Sequence, residues 1–102
     1  MGFEMQYFDL IRRWANDRCL IQGSTPEKQF LKLSEEIGEL AEGLAKGRIA
    51  AIKDGIGDAV VVLTILAAQN DVPIEDCIER AWNEIKDRKG RMVNGVFVKE
   101  GD

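Results

Sequence analysis

Histidine is absent from this chain, so imidazole is unavailable as a metal ligand and any metal chemistry falls to other donors. Cysteine is scarce. Cys19 and Cys77 are the two present, without zinc-ligand spacing or the dense pattern of a disulfide-stapled secreted domain. They read as reduced, partly buried thiols of a cytoplasmic protein. The N-terminus lacks the basic and apolar segments of a signal peptide. It opens with Met1-Gly2, but Gln6 stands where a myristoylation motif requires Ser or Thr. The apolar run at residues 59–68 is far short of the about 20 residues that span a bilayer. No basic patch interleaved with aromatics occurs, and the net charge is −4. Neither a membrane nor polymeric nucleic acid is therefore an expected partner, and the expectation is a soluble, cytoplasmic chain.

What is present is helical periodicity. At 102 residues the chain is expected to form one domain over 1–102, with a core at about 3–89 and a tail at 90–102. Four helices are predicted. The first covers about 3–18, with Phe3, Tyr7, Leu10, Ile11 and Trp14 at core spacing. A second starts near Pro26, capped by Ser24 or Thr25, with Ser24 and Glu27 spaced as a capping box, and stops at Gly47. Its apolar stripe is Phe30, Leu33, Ile37, Leu40 and Leu44. Beside that stripe the small residues Ser34, Gly38, Ala41 and Ala45 offer a line of close approach for another helix. The third helix covers 49–69, and the fourth about 73–89, with Glu75 and Asp76 in its first turn and basic residues in its last. Residues 92–97 read as a hairpin around Asn94-Gly95, too short to stand alone and expected to lean on the helices or on a partner chain.

The chemistry lies in the acids. Glu35, Glu36 and Glu39 share one face of the second helix, and Asp54 and Asp58 share one face of the third. Like charges three or four apart destabilise a helix by roughly 0.2–0.5 kcal/mol per pair, so something should offset the repulsion. On the second helix alone, Lys32 with Glu35 or Glu36, and Lys46 with Glu42, would make an ordinary solvated surface. On the third, Asp54 and Asp58 are collinear with Val61 and Ile65, which sets them at the mouth of a packed seam. Two readings stay open there: a network of salt bridges, or a cation. Oxygen donors without imidazole or clustered thiolate select Mg²⁺ or Mn²⁺ over zinc. Asn83 and Lys86 share a face of the fourth helix and Arg91 follows it. Those three are candidates to bind phosphate beside such an ion. Trp14 and Trp82 could stack on a base, but core packing is the expected role at these positions.

Glu35-Glu36-x-x-Glu39, followed by an acidic motif ending in Gly57-Asp58, resembles the MazG-like all-α nucleotide pyrophosphohydrolases. The likeness extends over about 26–91, including Leu31-Lys32-Leu33 and Asn83-x-x-Lys86. It implies an all-α fold with a four-helix core of the NTP pyrophosphatase type, a short hairpin-like tail, and a homodimer or homotetramer. The implied reaction is Mg²⁺-dependent hydrolysis of a nucleoside triphosphate to the monophosphate and pyrophosphate. On that resemblance Glu35, Glu36, Glu39, Asp54 and Asp58 hold Mg²⁺ (or Mn²⁺), Glu35 or Glu36 serves in catalysis, and Asn83, Lys86 and Arg91 bind substrate. One position departs. The family's second motif is usually Glu-x-x-Asp, and its first position here is Gly55, so Asp54 is expected to substitute. A phosphoribosyl-ATP pyrophosphohydrolase-like enzyme and a non-catalytic helical dimerisation module are the alternatives.

Overall fold

The computed structural model describes residues 3–101; the side chains of residues 3–5, including the expected core residue Phe3, lie outside what is described. Five helices and a two-stranded hairpin follow in order: α1 (Phe3–Asp17), α2 (Leu20–Gly23), α3 (Pro26–Lys46), α4 (Ile49–Gln69), α5 (Ile74–Ile85), β1 (Gly90–Val93) and β2 (Val96–Lys99). The all-α class with a β-hairpin tail is as expected. The four anticipated helices are α1, α3, α4 and α5, and α2 is additional. It arises because Cys19, in the left-handed region at φ 58°, turns the chain after α1 and caps a single new turn.

Helices α3 and α4 begin and end where the sequence places them. Thr25 Oγ1 accepts from the Lys28 backbone N–H at 3.2 Å, and Pro26 occupies the first turn. Ser24 makes no capping box with Glu27; its hydroxyl instead accepts from the Gln29 amide at 3.0 Å. Gly47, at φ 64°, ends α3 in the conformation that costs glycine least. The helix expected over 73–89 is shorter, because Lys86 caps α5 and residues 87–89 turn the chain into β1. The hairpin pairs antiparallel with Val93 opposite Val96, and Asn94 (φ 50°) and Gly95 (φ 81°) make the turn.

Helices α3 and α4 pack antiparallel and very closely. A Cβ at Gly55 would lie 3.0 Å from Leu40 Cβ, and one at Gly43 would lie 3.2 Å from Ala51 Cβ. The close approach therefore runs through Gly43 and Gly55, not through the expected stripe of Ser34, Gly38, Ala41 and Ala45, whose residues are exposed. Helix α1 lies against α4. The buried apolar residues are few among those described: Ala15, Val62 and Ile65. Tyr7, Leu10, Trp14 and Trp82, expected in the core, are exposed; the first three face α4 across an open cavity instead of packing tightly on it. Cys19 and Cys77 are likewise exposed, the first at the α1–α2 corner and the second on α5, and not partly buried as expected. Among the described residues no helix is long and apolar enough to cross a membrane.

Helix α5 packs on α4 and is tied to α1 by one clamp. Arg12 donates to both oxygens of Glu75 at 2.6 Å, and its Nη2 also reaches Asp9 at 2.6 Å. The hydrogen bonds from Arg12 hold the Glu75 carboxyl below the usual carboxylate range and raise the guanidinium in turn. Because the folded pKa of Glu75 lies below its ordinary 4.5, the clamp stabilises fully above that value and is lost as pH falls through the folded one. Glu75→Gln should cost about 1–2 kcal/mol at pH 7, for a charged hydrogen-bonded pair that is three-quarters buried. The difference from wild type in thermal melting should shrink below about pH 4. Melts of both proteins across pH 3–7 test it.

Candidate active site

The acidic face forms along the α3–α4 contact, with α1 against α4 beside it. Leu40 opposes Gly55 and Gly43 opposes Ala51, and one turn further along the same antiparallel seam Glu36 comes against Asp58. On either helix, Glu35, Glu39, Asp54 and Asp58 then fall on one side of the seam, because residues three or four apart share a face. On that side α1 stands next to Asp58: Tyr7, Leu10, Ile11 and Trp14 face Asp58 and Val61 across a cavity of about 580 Å³.

Glu36 is the unusual member. Its side chain is 7% exposed, at a position where a charged group is rarely buried without a partner. Oε1 faces Lys32 Nζ at 3.4 Å, while Oε2 is buried and has no hydrogen-bond partner. Lys32 also lies 3.6 Å from Glu35, whose own side chain is exposed. The pairs expected of a solvated helix surface, Lys32 with Glu35 and Glu36 and Lys46 with Glu42, are therefore all made. They leave half of the Glu36 carboxylate unsatisfied.

Asp58 responds to this neighbour. Desolvation first, then the charges of Glu36 and Asp54, together with the hydrogen bond that a protonated Asp58 could donate to Glu36, push its carboxyl above the ordinary range; Lys32 opposes. Two carboxylates in contact need a proton or a cation between them. Asp54 acts on Asp58 directly, whereas Gly55 is turned into α3 and takes no part.

The donor set suits a hard divalent cation: oxygens only, one of them buried and unpartnered beside a second carboxyl group. Among the described residues no three acidic or cysteine side chains are gathered closely enough to ligate one ion. The fit accordingly rests on Glu36 and Asp58 with Asp54 beside them, while Glu35 turns to Lys32 and Glu39 is exposed. The anticipated substrate-binding residues are elsewhere. Asn83 lines a groove with Asp76, Glu79, Arg80 and Glu84, all from α5. Arg91 lines a small cavity with Gly90, Val98 and Glu100, and Lys86 ends α5. The cavity beside Asp58 takes its walls from α1 and α4 alone. Tyr7, Leu10 and Trp14 were legible only as a core stripe; their spacing is that of a buried face, and nothing in sequence distinguishes a buried face from a cavity wall.

Comparison with known proteins supplies a family. The model of the MazG nucleotide pyrophosphohydrolase domain matches residues 24–93, which includes all of α3, α4 and α5. An uncharacterized 18.2 kDa protein from the rep-hol intergenic region of Haemophilus phage HP1 (strain HP1c1) is 56% identical over 62 residues. That alignment covers 61% of this chain and 38% of the phage protein, so the chain spans well under half of its relative's length. No solved structure matches. With more than half of its length inside the family model and both acidic motifs within that span, the chain belongs to the MazG nucleotide pyrophosphohydrolase domain family.

Proposed function

We propose that this chain hydrolyses nucleoside triphosphates to the monophosphate and pyrophosphate, with Mg²⁺ (or Mn²⁺) held between α3 and α4. The observation that carries the reading is the buried Glu36 carboxylate, with one oxygen unpartnered, set against Asp58. Glu36 and Asp58 are the first ligands, Asp54 and Glu39 flank them, and Glu35 is within reach once it leaves Lys32. When bound, the ion supplies charge neutralisation for the triphosphate and a more acidic water nucleophile. The chain's own groups do the rest. Glu35, exposed and one residue from Glu36, is the candidate to accept the proton of the attacking water. Lys32, already against the acids, is placed to meet phosphate charge as a point cation. The cavity walled by Tyr7, Leu10, Ile11 and Trp14 offers aromatic and aliphatic faces for a base, adjacent to Asp58. Asn83, Lys86 and Arg91 remain candidates for the phosphates, carried on α5 and the hairpin.

Product analysis tests the proposal. Deoxynucleoside triphosphate with Mg²⁺ should yield monophosphate and pyrophosphate in equal amounts, while diphosphate and phosphate as products would refute it. Phosphoribosyl-ATP in the same assay separates the related activity. The melting temperature should also rise with Mg²⁺, since a ligand that binds only the native state adds about 2.7 kcal/mol at a hundred times its Kd. A non-catalytic module held by salt bridges predicts no such rise.

A further inference from the structure

The acidic site already holds a cation of the chain's own. Lys32 Nζ stands 3.4 Å from Glu36 Oε1 and 3.6 Å from Glu35 Oε2. Its charge also reaches Asp58, where it opposes the rise that Glu36 and Asp54 impose. Lys32 is thus set against both residues on which the ion site rests, and against Glu35 as well. It holds none of them tightly. Charged hydrogen bonds of this type are about 2.7–2.9 Å long, and Arg12 approaches Glu75 to 2.6 Å. The Lys32 side chain is 54% exposed, on a flexible stem that ends in a strongly hydrated ammonium.

Local helix energetics do not account for the pairing. A glutamate placed before its lysine is the better order on a helix, and Glu42 with Lys46 follows it, both exposed. Lys32 with Glu36 has the order reversed, and its glutamate is buried. The lysine therefore acts as counter-charge to a carboxylate that folding has taken from water. It neutralises the site only in part, since Glu36 Oε2 stays without a partner. A divalent ion bound through that oxygen would share the Glu36 carboxylate with the Lys32 ammonium. Two cations on one carboxylate repel, and the loosely held ammonium, with solvent behind it, is the one free to leave.

We propose that Lys32 is a resident counter-ion that competes with Mg²⁺ (or Mn²⁺) for Glu35 and Glu36, and withdraws toward the phosphates of a bound nucleotide when the metal loads. The competition rests on the ion site proposed above and adds a coupling to it. Withdrawal frees Glu35 from its pair and frees an ammonium for phosphate, so ion and phosphate each strengthen the other's binding. Titration of the full chain with Mg²⁺ alone, read by calorimetry and by melting temperature, tests the competition without turnover. Lys32→Met removes the charge and keeps an unbranched, helix-forming side chain. It should bind Mg²⁺ about tenfold more tightly than wild type. Lys32→Arg, which keeps the charge, should bind within about twofold of wild type. In saturating Mg²⁺, inorganic triphosphate should shift the other way, binding about tenfold more weakly to Lys32→Met. A merely structural lysine would not move the two affinities in opposite directions. If Lys32→Met fails to fold, Lys32→Gln, whose amide can donate to Glu36, carries the same expectations. Equal or weaker Mg²⁺ binding by the uncharged variants overturns the competition and leaves the ion site standing. Absence of Mg²⁺ binding in wild type and variants alike removes the ion site itself, and the competition with it. Binding that emerges only in the uncharged variants supports both.

Discussion

Glu36→Gln is expected to remove activity by a hundredfold or more while making the ion-free protein more stable. The two effects share one cause. In the wild type a buried carboxylate keeps one oxygen without a partner and faces Asp58, which is itself desolvated and near Asp54. Such an arrangement costs folding free energy; an unsatisfied buried polar atom alone is worth about 1–3 kcal/mol. An amide has nearly the same shape, carries no charge, and can donate to the Asp58 carboxylate. Replacement should therefore raise the melting temperature without divalent ion by about 4–8 °C, taking the gain as about 1 kcal/mol in a domain of this size. The same change removes the charge that an ion would bind, and losing several kcal/mol of transition-state stabilisation is a loss of roughly a hundredfold to a thousandfold in rate. The rise in melting temperature on adding Mg²⁺ should vanish with it. Steady-state kinetics and paired melts, with Mg²⁺ and with chelator, read all three. If the variant is less stable in chelator, Glu36 is half of a structural pair with Lys32, and the salt-bridge reading gains. If it keeps full activity, the proposed site is wrong.

The contrast between Glu36 and its neighbours explains which parts of the site could be read in advance. Helix α3 was legible because Thr25, Pro26 and Gly47 are local signals that act through backbone groups close in sequence. Helix α4 was legible from periodicity, although its second half is apolar nearly all round. The acidic positions follow from helical spacing, which also puts Glu35, Glu36 and Glu39 on equal terms. Only packing separates them: one turn of α3 aims Glu36 into the seam, leaves Glu39 exposed, and hands Glu35 to Lys32. The apolar stripe of α3 raises the same question. Phe30, Ile37 and Leu44 have the spacing of a core face and are exposed, no described element lying over them. Sequence pattern reports that a face is meant to be covered; it does not say by what.

Gly55→Glu tests the weakest match to the family pattern, and the expected result is a less stable protein with no gain in turnover. The substitution installs the acid that the family usually carries three residues before Asp58. In isolation it should also favour the helix, since glycine in a helix interior is about 0.5–1 kcal/mol worse than alanine. Packing decides the other way. A Cβ at position 55 would stand 3.0 Å from Leu40 Cβ and 3.2 Å from Leu40 Cα, and the second of these is backbone that cannot swing aside. Overpacking of this kind costs about 1–3 kcal/mol, and the carboxylate beyond the Cβ would begin its path inside the α3–α4 contact. A net loss of about 2 kcal/mol corresponds to a fall of about 8–16 °C in melting temperature. Gly55→Ala should lose less, about 1 kcal/mol, because it adds the clash without the charge. In the proposed site Asp54, which acts on Asp58 through its charge, stands in for that acid, so Asp54→Asn should lower activity with little change in melting. Close approach of the two helices and a glutamate at 55 are thus alternatives, and this chain has the first; the proposed site takes its acid one residue earlier, at Asp54. A Gly55→Glu protein that melts like wild type and turns over faster would show that the seam can part to admit the side chain, and that Asp54 is not its substitute.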